Sequence, residues 1–286
     1  MHPILFRIPM PGGGHFDVAS YGVMMALGTI VCVLLAMRLG KREGVSPNTV
    51  IDLGFWAVIS GVIGAKIWFI VQFWPTVDEK MDLIRNFRSG LVWYGGMIAG
   101  AAAMVVYLRA KRLPILKTLD VIAAPGILGL AFGRVGCFLN GCCWGRETTS
   151  WYGVSFKRVV EDGYIIGSPP YLDQYSRGLI TTDAPASLPV IPTQLMEATL
   201  VACVFAALLL LKRTRRFYGE QVALVFVLYA AVRFTVELAR GDSPQVWLGL
   251  TVPQIFSASA FIAAVAALLY LRLARPKSLA VPGTAS

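Results

Sequence analysis

The sequence predicts an all-α polytopic membrane protein with seven transmembrane helices, and three observations carry that expectation. Of the 286 residues, 56% are hydrophobic and only 15% are charged, too greasy a balance for a water-soluble domain of this length. Seven windows of about 20 apolar residues, each long enough to cross the hydrocarbon, follow one another along the chain. The Lys and Arg behind the net charge of +10 fall mostly in short clusters between those windows. That is the distribution that membrane orientation and anionic lipids require, so membrane lipids are expected as partners and nucleic acid is not.

Taken in order, residues 1–17 hold Pro3, Pro9, Pro11, Gly12, Gly13 and Gly14 where a cleavable signal peptide needs a continuous apolar run, so none is expected. The apolar windows are 18–37, 50–74, 90–108, 118–140, 194–211, 220–239 and 252–271. The fourth is the most interrupted, since Asp120, Pro125 and Arg134 lie inside it and need neighbouring helices to satisfy them. Short basic stretches around Arg38, Lys41 and Arg42, from Arg109 to Lys117, from Lys212 to Arg216 and from Arg272 to Lys277 alternate with longer, less basic ones. The second set holds Arg7; Lys80, Arg85 and Arg88; Arg146, Lys157, Arg158 and Arg177; and Arg240. The positive-inside rule then puts the N-terminus outside and the C-terminus in the cytoplasm.

Residues 1–272 read as one transmembrane domain. Its longest connection, 141–193, is expected to be a small extracytoplasmic cap between the fourth and fifth helices, because Trp151, Tyr152, Phe156, Tyr164 and Tyr171 make it too aromatic for a disordered linker. Residues 273–286, with Pro276, Pro282 and Gly283, show no apolar period and are expected to form a mobile cytoplasmic tail. No internal repeat of the transporter kind is visible.

Against this apolar background the polar residues stand out. The stretch from Gly133 to Arg146 puts Arg134, several glycines and Asn140 at the end of an apolar helix. An arginine at such depth costs several kcal/mol and requires an anion or a wet cavity unless it snorkels to the interface. At a rise of about 1.5 Å per residue, Tyr21, Lys66, Tyr94, Arg134, Glu197 and Arg233 all lie about 20–25 Å from the cytoplasmic ends of their helices. Each has a plainer explanation when taken alone. Tyr21 and Tyr94 suit an aromatic belt, Lys66 can snorkel, and Glu197 suits a helix N-terminus. Arg233 and Glu237 are harder to dismiss, since their i, i+4 spacing stacks them on one face, with Arg240 a turn further on. Two guanidinium forks at one depth, approached by glycine backbone at 95–96 and 133–145, suit a lipid phosphate.

The five cysteines, Cys32, Cys137, Cys142, Cys143 and Cys203, show no zinc-site spacing, and His2 and His15 are the only histidines, so neither a metal nor a cofactor is expected. The missing intramembrane histidine and the lack of a serine triad argue against hydrolysis by those routes. An anion or lipid transporter would also want buried arginines, but nearer the midplane. A thiol oxidoreductase would want a Cys-x-x-Cys pair that the sequence lacks.

The Gly133–Arg146 stretch, with Gly-Arg-x-Gly, Asn140-Gly141 and Trp144-Gly145-Arg146, resembles the signature of the bacterial phosphatidylglycerol:prolipoprotein diacylglyceryl transferases. Further matches are Ser20-Tyr21-Gly22, Gly64-Ala65-Lys66, Gly95-Gly96, Pro192-Thr193-Gln194 with Glu197, Arg233 with Glu237 and Arg240, and Leu250-Thr251 with Gln254. The resemblance implies an inner-membrane enzyme, working at the outer leaflet on phosphatidylglycerol and on preprolipoprotein signal peptides that carry a lipobox cysteine. It would move the diacylglyceryl group onto that thiol, form a thioether and release glycerol phosphate, the first step of lipoprotein maturation. Arg134 and Arg233 fall on the family's essential arginines and, with Tyr94, are the expected catalytic residues. Tyr21, Lys66, Gly95, Gly96, Asn140, Gly145, Arg146, Gln194, Glu197, Glu237 and Arg240 are expected to bind substrate.

Three departures from the family pattern involve four positions. Tyr94 stands where many relatives carry histidine, Cys137 and Cys142 stand where relatives often have Asn and Glu, and Met196 replaces a usual tyrosine.

Overall fold

A computed structural model describes residues 3–11, 15–74, 90–161, 164–165 and 168–274. The expected tail beyond residue 274, and Lys80, Arg85 and Arg88, lie outside the described residues. A hairpin of β1 (Ile4–Pro9) and β2 (His15–Ala19) leads into α1 (Ser20–Arg42), α2 (Pro47–Phe73), α3 (Trp93–Ala110) and α4 (Ile115–Asn140). After α4 come a short pair of strands, β3 (Val160–Glu161) and β4 (Tyr164–Ile165), and α5 (Pro169–Ser176). Then follow α6 (Thr193–Leu211), α7 (Glu220–Glu237), the strands β5 (Gln245–Trp247) and β6 (Leu250–Thr251), and α8 (Val252–Ala274).

Every one of the seven apolar windows is occupied by a helix. Among the described residues, five helices are long and apolar enough to cross a membrane: α1, α2, α4, α6 with its short extension, and α8. The shorter α3 and the charge-bearing α7 are not among them. Most helix ends fall close to the windows, but α1 runs five residues past the expected end at residue 37. Its last turn holds Lys41 and Arg42, with Arg38 one turn earlier, so the added turn carries its cations at the helix C-terminus, where they are favoured. The apolar surface points outward as a lipid-facing helix requires: α2 leaves Phe55, Trp56, Ile63, Ile67 and Val71 exposed, far more than a soluble surface tolerates.

The chain divides into two compact units, Met1–Cys32 with Ala123–Ser286, and Val33–Ile122. In the second, α2 and α3 pack on small residues. A Cβ added to Gly64 would strike Ala99 and the Gly95 carbonyl, one added to Gly95 would strike Gly64 and Trp68, and one on Gly96 would lie 3.0 Å from the Gly61 carbonyl. This small-residue seam lets two helix backbones touch. A separate buried cluster in this unit comprises Ala36, Val45, Val50 and Val121.

In the first unit the core lies among α4, α6 and α7. Ala124, Ile127, Ala131, Ala198, Val201, Val204 and Leu208 are buried together, with Leu228, Tyr229 and Val232 packed on them. Pro125 leaves α4 unbroken, and its carbonyl accepts the Cys32 thiol at 2.8 Å. Between α4 and α6 the chain is folded: Phe156 and Tyr171 are buried, and the Tyr171 hydroxyl donates to the carbonyls of Thr181 and Thr182 at 3.2 Å. Gln174, fully buried, accepts from the Leu188 amide at 2.7 Å.

Candidate functional site

Helix periodicity brings the charges of the first unit together. Glu197, one turn into α6 and only 2% exposed, lies 3.0 Å from Arg134 Nε of α4 and 3.6 Å from Arg233 Nη1 of α7. The Tyr229 hydroxyl, one turn before Arg233 on α7, donates to Glu197 Oε1 at 3.0 Å. Arg233 Nη2 also meets Glu237 Oε2 at 2.6 Å, as the i, i+4 spacing predicts. Arg240 is 3.8 Å from the same Glu237 oxygen and grips Asp242 through two parallel bonds of 2.8 and 2.7 Å. Glu237 is held from its other side by the Thr251 hydroxyl at 2.9 Å, and Gln254 accepts from the Thr251 amide at 2.9 Å.

Three guanidinium groups therefore face three carboxylates, and the anion that Arg134 requires is Glu197. Arg134 Nε and Arg233 Nη1 are buried and ion-paired with the same carboxylate, which Tyr229 also uses, so Glu197 is shared among three partners. Two guanidinium forks from separate helices, α4 and α7, carry more N–H donors than one carboxylate can accept, and an incoming anion would take the remainder.

The turn after α4 is fastened to this cluster through its backbone. The Gln194 amide donates to the Cys142 carbonyl and the Thr193 hydroxyl to the Cys143 carbonyl, both at 2.8 Å. The Arg146 amide donates to the Ala239 carbonyl at 2.9 Å, and the Arg146 side chain reaches the Arg240 carbonyl at 3.4 Å. Gly145 fits here because an added Cβ would meet the carbonyls of Ile191 and Ala239 at 2.6 and 2.8 Å. Outside the helix, Cys143 is held below the ordinary thiol range. Hydrogen bonds from Cys137 and Cys142 contribute most, and the charges of Arg240 and Arg134 add to them against the opposing effect of burial.

The residue-3 to residue-270 portion of the chain matches the family model described as prolipoprotein diacylglyceryl transferase. The chain belongs to the prolipoprotein diacylglyceryl transferase family. Among similar proteins, the phosphatidylglycerol-prolipoprotein diacylglyceryl transferase 2 of Clostridium perfringens is 31% identical over 254 residues, covering 88% of this chain and 90% of that protein. The corresponding transferase of Lactobacillus gasseri is 31% identical over 283 residues, covering 97% and 93%. The family resemblance read from the signature stretch is thus borne out.

Within this family member, Arg134, Glu197, Arg233, Glu237 and Arg240 meet in one cluster, Gln194 is bonded to the Cys142 carbonyl of the turn after α4, and Gly145 and Arg146 lie beside Arg240 through the backbone. Asn140 closes α4, and Tyr21 of α1 packs on Gly136 of α4. Lys66, Tyr94, Gly95 and Gly96 belong to the Val33–Ile122 unit. There Lys66 is buried with its ammonium 5.1 Å from the Phe69 ring centroid, and Tyr94 meets Trp93 edge to face at 5.6 Å. The glycines take packing positions: Gly95 and Gly96 face α2, while Gly133 and Gly136 face Met25 and Tyr21 of α1.

Sequence reasoning missed Tyr229 and Asp242. The first was findable, since it stands four residues before Arg233 on the same face. The second lies in a loop two residues past Arg240, where no period points to it. The meeting of three cysteines was also unforeseen, because it depends on a turn rather than on spacing.

Proposed function

We propose that this chain transfers the diacylglyceryl group of phosphatidylglycerol to the lipobox cysteine thiol of a preprolipoprotein, the activity that its relatives' names carry. The observation that supports it best is the pair of buried guanidinium groups, Arg134 and Arg233, that share the single carboxylate of Glu197 among apolar helices. The acceptor sulfur attacks the glyceryl carbon next to the phosphate ester, and the carbon–oxygen bond breaks. The thiol proton leaves and glycerol phosphate departs, its charge growing from one negative toward two. Two donors fixed beforehand by Glu197 stabilise that growing charge without having to reorganise. An apolar groove of about 430 Å³ lined by Ala230, Phe234, Thr235, Ser257, Phe261 and Ile262 of α7 and α8 suits an acyl chain, one turn from Arg233. In this reading the Tyr94 hydroxyl serves as a neutral hydrogen-bond donor to a substrate oxygen.

In this reading all seven helices span the bacterial inner membrane, the N-terminus is outside, residues 141–193 cap the outer face, and the site opens to the outer leaflet. The basic connections at 38–49, 109–117 and 212–216 support that orientation. A Ser150→Cys variant of a chain otherwise cleared of cysteines should react with a membrane-impermeant thiol reagent on intact spheroplasts. Reaction only after lysis would reverse the orientation.

The activity is tested with purified protein, phosphatidylglycerol and a lipobox peptide. Each modified peptide should gain one diacylglyceryl group on sulfur with release of one glycerol phosphate, and a Ser-for-Cys peptide should remain unmodified. Consumption of phosphatidylglycerol without peptide would contradict the assignment.

A further inference from the structure

Cys137, Cys142 and Cys143 have no part in the transfer reaction as described, yet the fold gathers their side chains. Cys137 is buried in the last turn of α4. Past Asn140 the chain reverses through two left-handed residues, Gly141 at φ 77° and Cys143 at φ 64°. Glycine adopts that conformation freely, whereas for a cysteine it is uncommon and must be held by its surroundings. The holding contacts are present. The Cys142 amide donates to the Cys137 carbonyl at 3.1 Å, the Gly141 amide donates to the Phe138 carbonyl at 3.2 Å, and Thr193 and Gln194 of α6 clasp the carbonyls of Cys143 and Cys142.

The result is that all three sulfur atoms lie within 4.8 Å of one another. Thiolates about 2.3 Å from a shared ion would sit roughly 3.8–4.0 Å apart, so rotation about the side-chain bonds covers the difference. All three are free thiols. A disulfide between any two would leave the third beside it unpartnered, whereas one shared ligand uses all three.

Charge favours the same outcome. Three thiolates around a singly or doubly charged ion carry a net negative charge, and the turn that bears Cys142 and Cys143 is fastened through Arg146 to the basic end of α7 at Arg240. Thiolate-only coordination selects soft ions over the hard oxygen-seeking ones.

We propose that Cys137, Cys142 and Cys143 form a three-thiolate site for a soft, closed-shell metal ion of the copper(I), zinc(II) and cadmium(II) class. Binding releases the thiol protons to solvent. The ion ties the 141–146 turn to the end of α4, and with it the backbone that fastens Arg146 and Arg240. The site stands apart from the transfer assignment, because its test reads metal binding and not activity.

The probe is cadmium(II) alone, added to reduced, chelator-treated full-length protein in detergent. The readouts are thiolate-to-cadmium ultraviolet absorption and, by mass spectrometry, which cysteines cadmium shields from alkylation. The site predicts saturation at one ion per chain, with Cys137, Cys142 and Cys143 newly shielded together. Cys32→Ser with Cys203→Ser should leave binding unchanged. Cys143→Ala should weaken it by more than the roughly tenfold that even an outer-shell change costs. Shielding of only two of the three, absence of the absorption, or isolation of the protein with a disulfide inside the trio would each overturn the proposal, and none of these depends on a variant folding.

Discussion

In the Val33–Ile122 unit α2 and α3 meet on bare glycine backbone, whereas in the other unit α4, α6 and α7 meet across arginines and carboxylates. Both regions supply residues to the family pattern, but they bury them for different reasons. At the glycine seam stability comes from close approach and dispersion between flat surfaces, with a hydrogen bond from the Tyr107 hydroxyl of α3 to Asp52 of α2 further along the pair. At the charged cluster the same apolar surroundings make each unpaired group expensive, so Glu197 must hold two arginines and Tyr229 at once. A shared signature therefore mixes two kinds of residue. The glycines are explained by packing, whereas the buried arginines and carboxylates are what the proposed chemistry uses.

The largest effect is expected at the centre of the charged cluster. Glu197→Ala strands Arg134 and Arg233 in an apolar setting, and removing one partner of a buried ion pair costs about 3–5 kcal/mol. Denaturant unfolding in micelles should show a loss of that size. A loss below about 1 kcal/mol, the range of exposed pairs, would mean that water screens the cluster.

Arg134→Lys comes next, because it keeps the charge but loses the planar fork. Removing one positioned donor costs about 2.7–4 kcal/mol of transition-state stabilisation, a fall in kcat of about 100- to 1000-fold. Initial transfer rates to a lipobox peptide check this, and near-normal rates in folded protein would remove the phosphate role.

On the glycine side, Gly64→Ala drives a methyl group into Ala99 and the Gly95 carbonyl, an overpacking worth about 1–3 kcal/mol. A lowered thermal midpoint with little change in the rate of the folded fraction is expected.

The smallest effect belongs to Tyr94→Phe, which removes one neutral donor worth about 0.5–1.5 kcal/mol. Transfer measured from pH 6 to 9 should fall less than for either arginine variant. Activity lost at low pH and restored by alkali would instead make Tyr94 the group that generates the thiolate.

Much of this contrast was legible in the sequence. Apolar length placed a helix in each of the seven windows, five of them long and apolar enough to cross a membrane, and i, i+4 spacing paired Arg233 with Glu237. The partnership of Arg134 with Glu197 was within reach as two opposite charges at similar depth, although residue types alone do not select one partner among several. Asp242 and the cysteine trio escaped because loops carry no period, and left-handed turns at Gly141 and Cys143 redirect the chain in ways that spacing does not encode. The glycines at 95–96 and 133–136 were legible as close approach, but whether a ligand or another helix approaches is decided only by tertiary packing.

The most direct test sets Arg233→Lys beside Gly95→Ala and measures both kcat per folded molecule and thermal midpoint. Charge on the departing phosphate grows during the reaction, so Arg233→Lys should lose most of its kcat while its midpoint stays near that of the parent. Gly95→Ala, whose new methyl meets Gly64 and Trp68, should lose midpoint while its folded molecules keep kcat. The opposite pattern, an active Arg233→Lys beside a stable but inactive Gly95→Ala, would contradict the placing of the chemistry in the charged cluster.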